Sequence, residues 1–314
     1  MDKKNNISII IPVYNEAASI QKLYSEIENN INNQYNYEII FINDGSTDHS
    51  KKQILKIIKN NSCVKLIDFY KNRGKSAALN HGFKMSSGDI IITLDADLQD
   101  DPKEINNFID KINEGYGLVS GWKKNRLDPI SKKIPSKIFN FILRLISGIK
   151  IHDFNCGFKA YIRDAIQNIQ IYGGLHRFIP IIINNNGFKI TEIIVNHRKR
   201  EYGKSKYSGS RIFHGFFDFI TLTFFNKYLT RPLHFFGIIG ISLLLSGLII
   251  NIYLTINWLN GIWITPFKNP LFFLGLLLLI IGVQFFSIGL IGELIVKLTR
   301  NNNNVHCKYF NFDE

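Results

Sequence analysis

Asp95-Ala96-Asp97-Leu98-Gln99 places two carboxylates two positions apart, directly after the apolar run Ile90–Leu94. In an extended turn, residues i and i+2 project to the same side, so both acids face one point. Such a pair suits a hard, oxygen-seeking cation, Mg²⁺ or Mn²⁺, which keeps part of its shell for substrate phosphate oxygens. Asp44-Gly45-Ser46 offers an acid to the base or ribose edge of a nucleotide. Asn72-Arg73-Gly74-Lys75 precedes a helical stretch whose first N–H groups favour phosphate, without matching the G-x-x-x-x-G-K-[ST] loop of P-loop proteins. His152-Asp153 supplies an acid to orient or deprotonate an acceptor. Each cluster also has a plain structural reading: a solvated turn, a helix N-cap, a basic surface turn, a carboxylate bracing a loop.

The elements that must position these groups follow from periodicity. Apolar runs at Ile7–Val13, Tyr37–Asn43, Val64–Phe69 and Ile90–Leu94 alternate with helical spacing at Ala17–Asn30, from Thr47 or Asp48 to about Lys59, and at Gly74–Met85. This alternation predicts an α/β domain with a mostly parallel sheet and helices on both faces. Ligands of such sheets bind at the carboxyl ends of the strands. Asn15-Glu16, Asp44-Gly45 and Asp95-Ala96-Asp97 all fall there, so three strand ends deliver polar or acidic groups to one crevice.

The rest of the chain is different in kind. Leu233–Leu259 and Leu271–Val296 are almost wholly apolar, and each exceeds the ~20 residues needed to cross a bilayer. Basic residues from Arg198 to Arg231 precede the first span, and Lys297 and Arg300 follow the second. The linker carries only Lys268, which places both flanks in the cytoplasm and the linker outside. Trp258 and Trp263 fall at the level of an aromatic belt. Glu293, the acid within the second span, is expected either to snorkel or to pair with a juxtamembrane cation. The net charge of +13 over 314 residues points to polyanions. Cys63, Cys156 and Cys307 form no C-x-x-C pair, so neither a thiolate metal site nor a disulfide framework is expected. The polar start and the short run Ile7–Val13 do not read as a secretory signal.

Four motifs, P-V-Y-N-E (Pro12–Glu16), N-D-G-S-T-D (Asn43–Asp48), N-R-G-K-S-A-A-L (Asn72–Leu79) and D-A-D-L-Q-D-D-P (Asp95–Pro102), resemble glycosyltransferase family 2. K-K-N-R (Lys123–Arg126), H-D-F-N-C-G-F-K-A-Y (His152–Tyr161), H-R-F-I-P (His176–Pro180) and the basic run Asn196–Ser208 narrow the resemblance to polyprenyl-phosphate glycosyltransferases, the group of dolichol-phosphate mannose synthase and bactoprenol glucosyltransferases. It covers residues 7–300. The resemblance implies a GT-A fold, inverting transfer and a divalent metal, Mg²⁺ or Mn²⁺, among Asp95, Asp97 and Gln99. It implies that Pro12, Tyr14, Glu16, Asp44, Lys75, Asp95, Ala96 and Lys123 bind the nucleotide-sugar, and that Lys123 and Arg126 face phosphate. Lys123 stands where the family often has arginine. Asp153, Asp97 and Arg126 are the implied catalytic groups; Arg126, His176, Arg177, Arg200 and Lys206 would approach the lipid phosphate. The Q-x-x-R-W motif of processive synthases is absent.

The expected reaction is attack by a polyprenyl phosphate oxygen, of undecaprenyl or dolichyl phosphate, on the anomeric carbon of a nucleotide-sugar such as UDP-glucose or GDP-mannose. A phosphate monoester is largely ionised at neutral pH, its second pKa being near ~6. Asp153 is therefore expected to orient rather than to act as a strong base. A hydroxyl acceptor on a glycan or protein would demand a true base, and a non-enzymatic nucleotide-sugar sensor or scaffold would need no base at all. The expected organisation is a cytoplasmic catalytic domain at 1–205, a juxtamembrane helical segment at 206–232, two spans at 233–296 and a polar cytoplasmic tail at 297–314. The expected setting is the cytoplasmic (inner) membrane, with donor, lipid acceptor and bilayer as partners, nucleic acid excluded and a homo-oligomer allowed.

Overall fold

The computed structural model describes residues 6–31, 35–127, 130–202, 232–261 and 269–299. The chain divides into two compact units, Met1–Asp218 and Phe219–Glu314.

The first unit is built on a seven-stranded mixed sheet of order β3-β2-β1-β4-β6-β5-β7. Its strands are β1 (Asn6–Val13), β2 (Asn36–Asn43), β3 (Val64–Asp68), β4 (Ile90–Thr93), β5 (Leu118–Trp122), β6 (Lys159–Ile162) and β7 (Ile190–Ile194). Strands β3, β2, β1 and β4 run parallel, as their continuous apolar runs require. Among the described strands, β6 alone runs against its neighbours, β4 and β5. Ile9, Ile10 and Ile11 of β1 and Ile39 to Ile42 of β2 are fully buried. Between the strands lie α1 (Ile20–Asn30), α2 (Ser50–Asn60), α3 (Lys75–Met85), α4 (Ile105–Asn113), α5 (Ile130–Ser147), α6 (Arg163–Ile166) and α7 (Ile179–Asn185). The expected α/β class is observed. The α1 helix starts at Ile20 because Ser19 and the turn before it are held by Glu16, whose carbonyl accepts from both the N–H and the hydroxyl of Ser19. Asp48 accepts from the Ser50 N–H and so opens α2.

At the amino ends of the strands, away from the crevice, Glu38 ties four segments together. Its carboxylate accepts from Ser8 Oγ and Lys65 Nζ, both at 2.6 Å, and from the N–H and hydroxyl of Ser87. Gly88 donates to Ser8 Oγ at 2.7 Å. Burial opposes ionisation of Glu38, but Lys65, Ser8 and Ser87 outweigh it and pull the pKa down to about 2.

The second unit is a hairpin of two helices, α8 (Pro232–Leu259) and α9 (Pro270–Thr299), each long and apolar enough to cross a membrane. Side chains such as Ile249 and Leu259 lie outward and exposed. Glycines line the seam. A Cβ on Gly240 would come within 2.8 Å of the Gly282 carbonyl, and one on Gly247 within 2.7 Å of the Gly275 carbonyl. In lipid, apolar surface gives no drive for two helices to pair, so small residues that allow close backbone approach take that role. One carboxylate oxygen of Glu293 lies 3.5 Å from the Leu233 N–H, in the first turn of α8, where backbone donors lack intrahelical partners; the juxtamembrane cations from Lys204 to Arg231 lie outside the described residues.

A folded-state pKa held below its unfolded value near ~4.3 contributes stability above that value, which is lost as pH falls toward the folded one. Glu38→Gln is therefore expected to lower unfolding stability by about 2 kcal/mol at neutral pH, and by about half as much near pH 3, in urea denaturation of the detergent-solubilised chain. Equal losses at both pH values would contradict this assignment of the network.

Candidate active site

The crevice is made where β1, β2 and β4 end. After β1, the Asn15 N–H donates to Ser46 Oγ at 3.0 Å and Asn15 Oδ1 accepts from the Thr47 N–H at 2.8 Å. The Glu16 N–H donates to Ser50 Oγ, and the Ala17 N–H to Asp48. These bonds lock the loop holding Tyr14 and Glu16 to the loop after β2. Pro12 sits in β1 opposite Ile42, half-buried at the rim. Asp44 is buried, and its two oxygens accept from the Arg73 N–H at 2.6 Å and the Gly74 N–H at 2.9 Å. Its observed task is thus to hold the turn that opens α3. That turn sets Lys75, whose ammonium contacts Asp95 Oδ1.

The D-A-D-L-Q turn is tightly determined. Leu98 is buried and has φ +61°, a conformation costly for a residue with a branched side chain. Ala96 is buried beneath the two acids. The Gln99 N–H donates to Asp97 Oδ1 at 3.2 Å, and the Gln99 carbonyl accepts from the Arg198 N–H at 2.9 Å. Arg198 also pairs at 2.6 Å with Glu26 and with Asp101, fastening this segment to α1. Two residues on, Arg200 pairs with Glu16 and lies 3.8 Å from Asp97 Oδ2. Beneath the turn, Lys123 and the fully buried Asp100 form an ion pair at 2.6 Å.

These charges explain the ionisation of the acids. Burial works against the Asp95 carboxylate, but Lys75 above all, with Lys123, holds its pKa down to about 2. Asp97 goes the other way: burial and then the negative charges of Asp95 and Asp100 push it up. Two carboxylates in mutual repulsion, one ionised and the next reluctant, form a setting that a divalent cation relieves. Among the described residues no three His, Cys, Asp or Glu side chains converge as a closed protein cage. A Mg²⁺ or Mn²⁺ held by one or two carboxylates and completed by water and phosphate oxygens needs no such cage. Asp95 and Asp97 fit that mode; Gln99 is tied to it by its backbone.

The opposite wall is the loop before β6. Asp153 is buried; Arg126 reaches it at 3.5 Å while donating to Ser136 Oγ at 2.7 Å. The Phe154 N–H donates to Asn140 Oδ1 at 3.2 Å. Ser136 and Asn140 belong to the inner face of α5, so this helix holds the loop. Gly157 lies against Asp95: a Cβ there would stand 2.4 Å from the Asp95 carboxylate. Lys159, at the start of β6, is buried and donates to the carbonyls of Phe154, at 3.1 Å, and Cys156. His152 pairs with Glu192 and stacks on Trp122 with ring centroids 4.0 Å apart.

The structure thus brings Glu16, Lys75, Asp95, Asp97 and Arg200 into contact, and Arg126 onto Asp153. Three further residues expected to bind ligand have partners within the protein. Asp44 accepts from backbone. Lys123 pairs with Asp100 at 2.6 Å. His176 packs with Nδ1 2.9 Å from Ser76 Oγ, and burial, then Lys75 and Arg177, drive its pKa well down. Arg177 lies half-buried in the same turn. Lys206 and the juxtamembrane segment 206–232, apart from Pro232, lie outside the described residues. Asp100, Gly157 and Lys159 carried no assignment from spacing, although each stands inside a motif.

A mixed sheet of this order, with an acidic D-x-D turn at the end of β4, defines a GT-A-type glycosyltransferase domain. Its fold is similar to that of glucosyl-3-phosphoglycerate synthase from Mycobacterium tuberculosis in a complex with Mn²⁺, UDP and phosphoglyceric acid, with a TM-score of 0.56 and 17% identity over 70% of this chain and 78% of that one. Residues 8–170 match the model of glycosyl transferase family 2, and the chain belongs to that family. It is 32% identical to the dodecaprenyl-phosphate galacturonate synthase of Rhizobium johnstonii, over 93% of this chain and 88% of the relative. It is 33% identical to the undecaprenyl-phosphate 4-deoxy-4-formamido-L-arabinose transferase of Proteus mirabilis, over 98% and 94%. The chain is therefore a glycosyltransferase whose full-length relatives are polyprenyl-phosphate sugar transferases.

Removing one partner of a buried ion pair leaves the other charge uncompensated. Lys123→Met is expected to lose about 3–5 kcal/mol of stability, and Lys123→Met with Asp100→Asn to recover most of it, in the same denaturation assay. A stable Lys123→Met protein that has lost only donor affinity would restore Lys123 as a phosphate ligand.

Proposed function

We propose that this chain transfers a sugar from a nucleotide-sugar to a polyprenyl phosphate at the cytoplasmic face of a membrane, with inversion at the anomeric carbon. The observation that carries the reading is Gly157. It sets the acidic turn of Asp95 and Asp97 on one side of the crevice directly against the loop of Asp153 and Arg126 on the other. The first side suits a donor diphosphate, the second an anionic acceptor.

Asp95 and Asp97 are the residues that would hold Mg²⁺ or Mn²⁺, which supplies charge neutralisation for the departing nucleoside diphosphate. Lys75, at the amino end of α3 with its free backbone donors, adds positive charge for the same diphosphate. Pro12 at the end of β1 and Tyr14 and Glu16 after it line the nucleoside end, on the loop that Ser46, Asp48 and Ser50 brace. Arg126 orients the acceptor phosphate and shares its guanidinium with Asp153. Arg200, drawn from the segment that leads toward α8, offers a second cation to that phosphate. An ionised phosphate oxygen attacks the anomeric carbon as the carbon–oxygen bond to the diphosphate breaks, and the electron pair leaves with the diphosphate. No strong base is needed, so Asp153 works by orientation and by its charge beside Arg126.

The acceptor's setting agrees with the surface. On α5, Ile134, Ile138, Phe141 and Leu145 recur at helical spacing and are all more than half exposed, opposite the buried Ser136, Asn140 and Leu143. A soluble domain seldom leaves such a stripe to water; resting on lipid, it holds the crevice at the level of the headgroups. The apolar helices α8 and α9 supply the anchor, and the basic flanks read from the sequence favour the cytoplasmic side. As to the sugar, which the motifs leave open, the relatives named above favour a uronic acid or an acylamino pentose over glucose or mannose.

A panel of radiolabelled nucleotide-sugars, including galacturonate and 4-deoxy-4-formamido-L-arabinose donors, tests the reading with undecaprenyl phosphate as acceptor. Label is expected to enter the organic phase from one donor and to stop on chelation of divalent metal; no lipid-linked label from any donor would overturn it. With that donor, Asp153→Asn is expected to stay within about tenfold of the wild-type rate, whereas loss of a true general base costs about 10²–10⁴-fold and would favour a hydroxyl acceptor.

A further inference from the structure

Lys159 is a buried cation that the reaction above does not use. Only 3% of its surface is accessible. Both of its hydrogen-bond acceptors are main-chain carbonyls, those of Phe154 and Cys156, in the loop that carries Asp153. Two neighbouring strands hold the same loop from other directions. Thr93 Oγ1, from β4, donates to the Gly157 carbonyl at 2.8 Å, and Ser120 Oγ, from β5, donates to the Asp153 carbonyl at 3.3 Å. Three strands thus spend buried side-chain donors on four carbonyls within five residues. The loop's own N–H groups are fixed as well, Phe154 to Asn140 and Asn155 to the Asp153 carboxylate.

A lysine is an expensive choice for bonding carbonyls in a core, since burial disfavours the ammonium and lowers its pKa here. Threonine or serine suffices at the other two places. What the lysine adds is reach and charge. Starting from β6, it spans back to two carbonyls three and five residues earlier and closes the loop into a fixed ring. Its charge also sits in the field of both Asp153 and Asp95, the acids of the two walls.

We infer that Lys159 is a positioning residue that sets the Asp153–Gly157 loop against Asp95, and so fixes the spacing between the acceptor side and the donor side of the crevice. This rests on the crevice being the place of sugar transfer. Thr93 is the second support of the same ring. Gly157 is the contact through which the spacing is read, because any larger residue would strike the Asp95 carboxylate.

The test compares wild type with Lys159→Met, Lys159→Arg and Thr93→Val in the full detergent-solubilised chain. Hydrogen–deuterium exchange reports the loop without any substrate. Lys159→Met is expected to speed exchange in the 153–158 peptide about tenfold or more while β1 and β2 stay protected, as a local opening requires. With the donor found active on undecaprenyl phosphate, its kcat is expected to fall about 10²-fold, as for a misplacement near 1 Å, with donor KM changed less than about threefold. Lys159→Arg should restore part of both effects. Should Lys159→Met fail to fold, Thr93→Val is expected to show the same selective pattern at smaller size. Wild-type exchange and turnover in Lys159→Met would overturn the inference. So would a rise in exchange across the whole sheet with kcat lost only in proportion to folded protein. If wild type transfers label from no donor, the reading of the reaction falls, while the exchange comparison still decides the role of Lys159.

Discussion

The site depends on compensating negative charge concentrated at the carboxyl edge of a parallel sheet. Glu16, Asp95, Asp97 and Asp100 converge there, and charges a few ångströms apart in a poorly hydrated crevice repel by several kcal/mol. The chain answers with its own cations. Asp100 takes Lys123 permanently, deep under the turn. Asp95 takes Lys75, and Glu16 takes Arg200, both nearer the surface. The pairs differ in exposure: Lys123 and Asp100 are 9% and 0% exposed at their side chains, Lys75 and Arg200 30% and 21%. Asp97, 3.8 Å from Arg200, is held reluctant to ionise by burial and by the charges of Asp95 and Asp100.

The rest of the first unit serves this arrangement. Asp44 gives up its carboxylate to the α3 turn so that Lys75 stands over Asp95. Arg198 fastens the segment that delivers Arg200. The strained Leu98 keeps both acids of the turn on the open side while its own side chain stays in the core. Across the crevice, α5 works with two faces: its inner polar residues hold the Asp153 loop, and its outer apolar residues are exposed. At the far edge of the sheet, Glu38 neutralises itself against Lys65 and fixes the strand starts, which leaves the carboxyl edge free to carry unsatisfied charge.

Much of this was legible in the sequence, for physical reasons. Long β-branched runs can only be strands buried on both faces, so the positions of Asp95, Asp44 and Glu16 at strand ends followed directly. The apolar helices were equally plain, since apolar runs longer than ~18 residues with few charges read as candidate membrane spans. The unreadable parts depend on contacts distant in sequence. Nothing local in the sequence pairs Lys123 with Asp100, which stands beneath it. His176 looks cationic until Ser76, a hundred positions earlier, is found packed on its ring nitrogen. Lys159 has no local signature, because its acceptors are backbone carbonyls, which every residue possesses. In the hairpin, the glycines at 240, 247, 275 and 282 acquire meaning only once the two helices are paired, and Glu293 only once the start of α8 lies beside it.

The account turns on Lys75 standing in for a cation at Asp95. Mn²⁺ binding to the nucleotide-free, detergent-solubilised chain, followed by electron paramagnetic resonance, tests this most directly. With Lys75→Ala the competing charge is gone, and Mn²⁺ is expected to bind several-fold more tightly than to wild type. Unchanged or weaker Mn²⁺ binding by Lys75→Ala would contradict the reading of these carboxylates as a cation site held in waiting by the chain's own lysine.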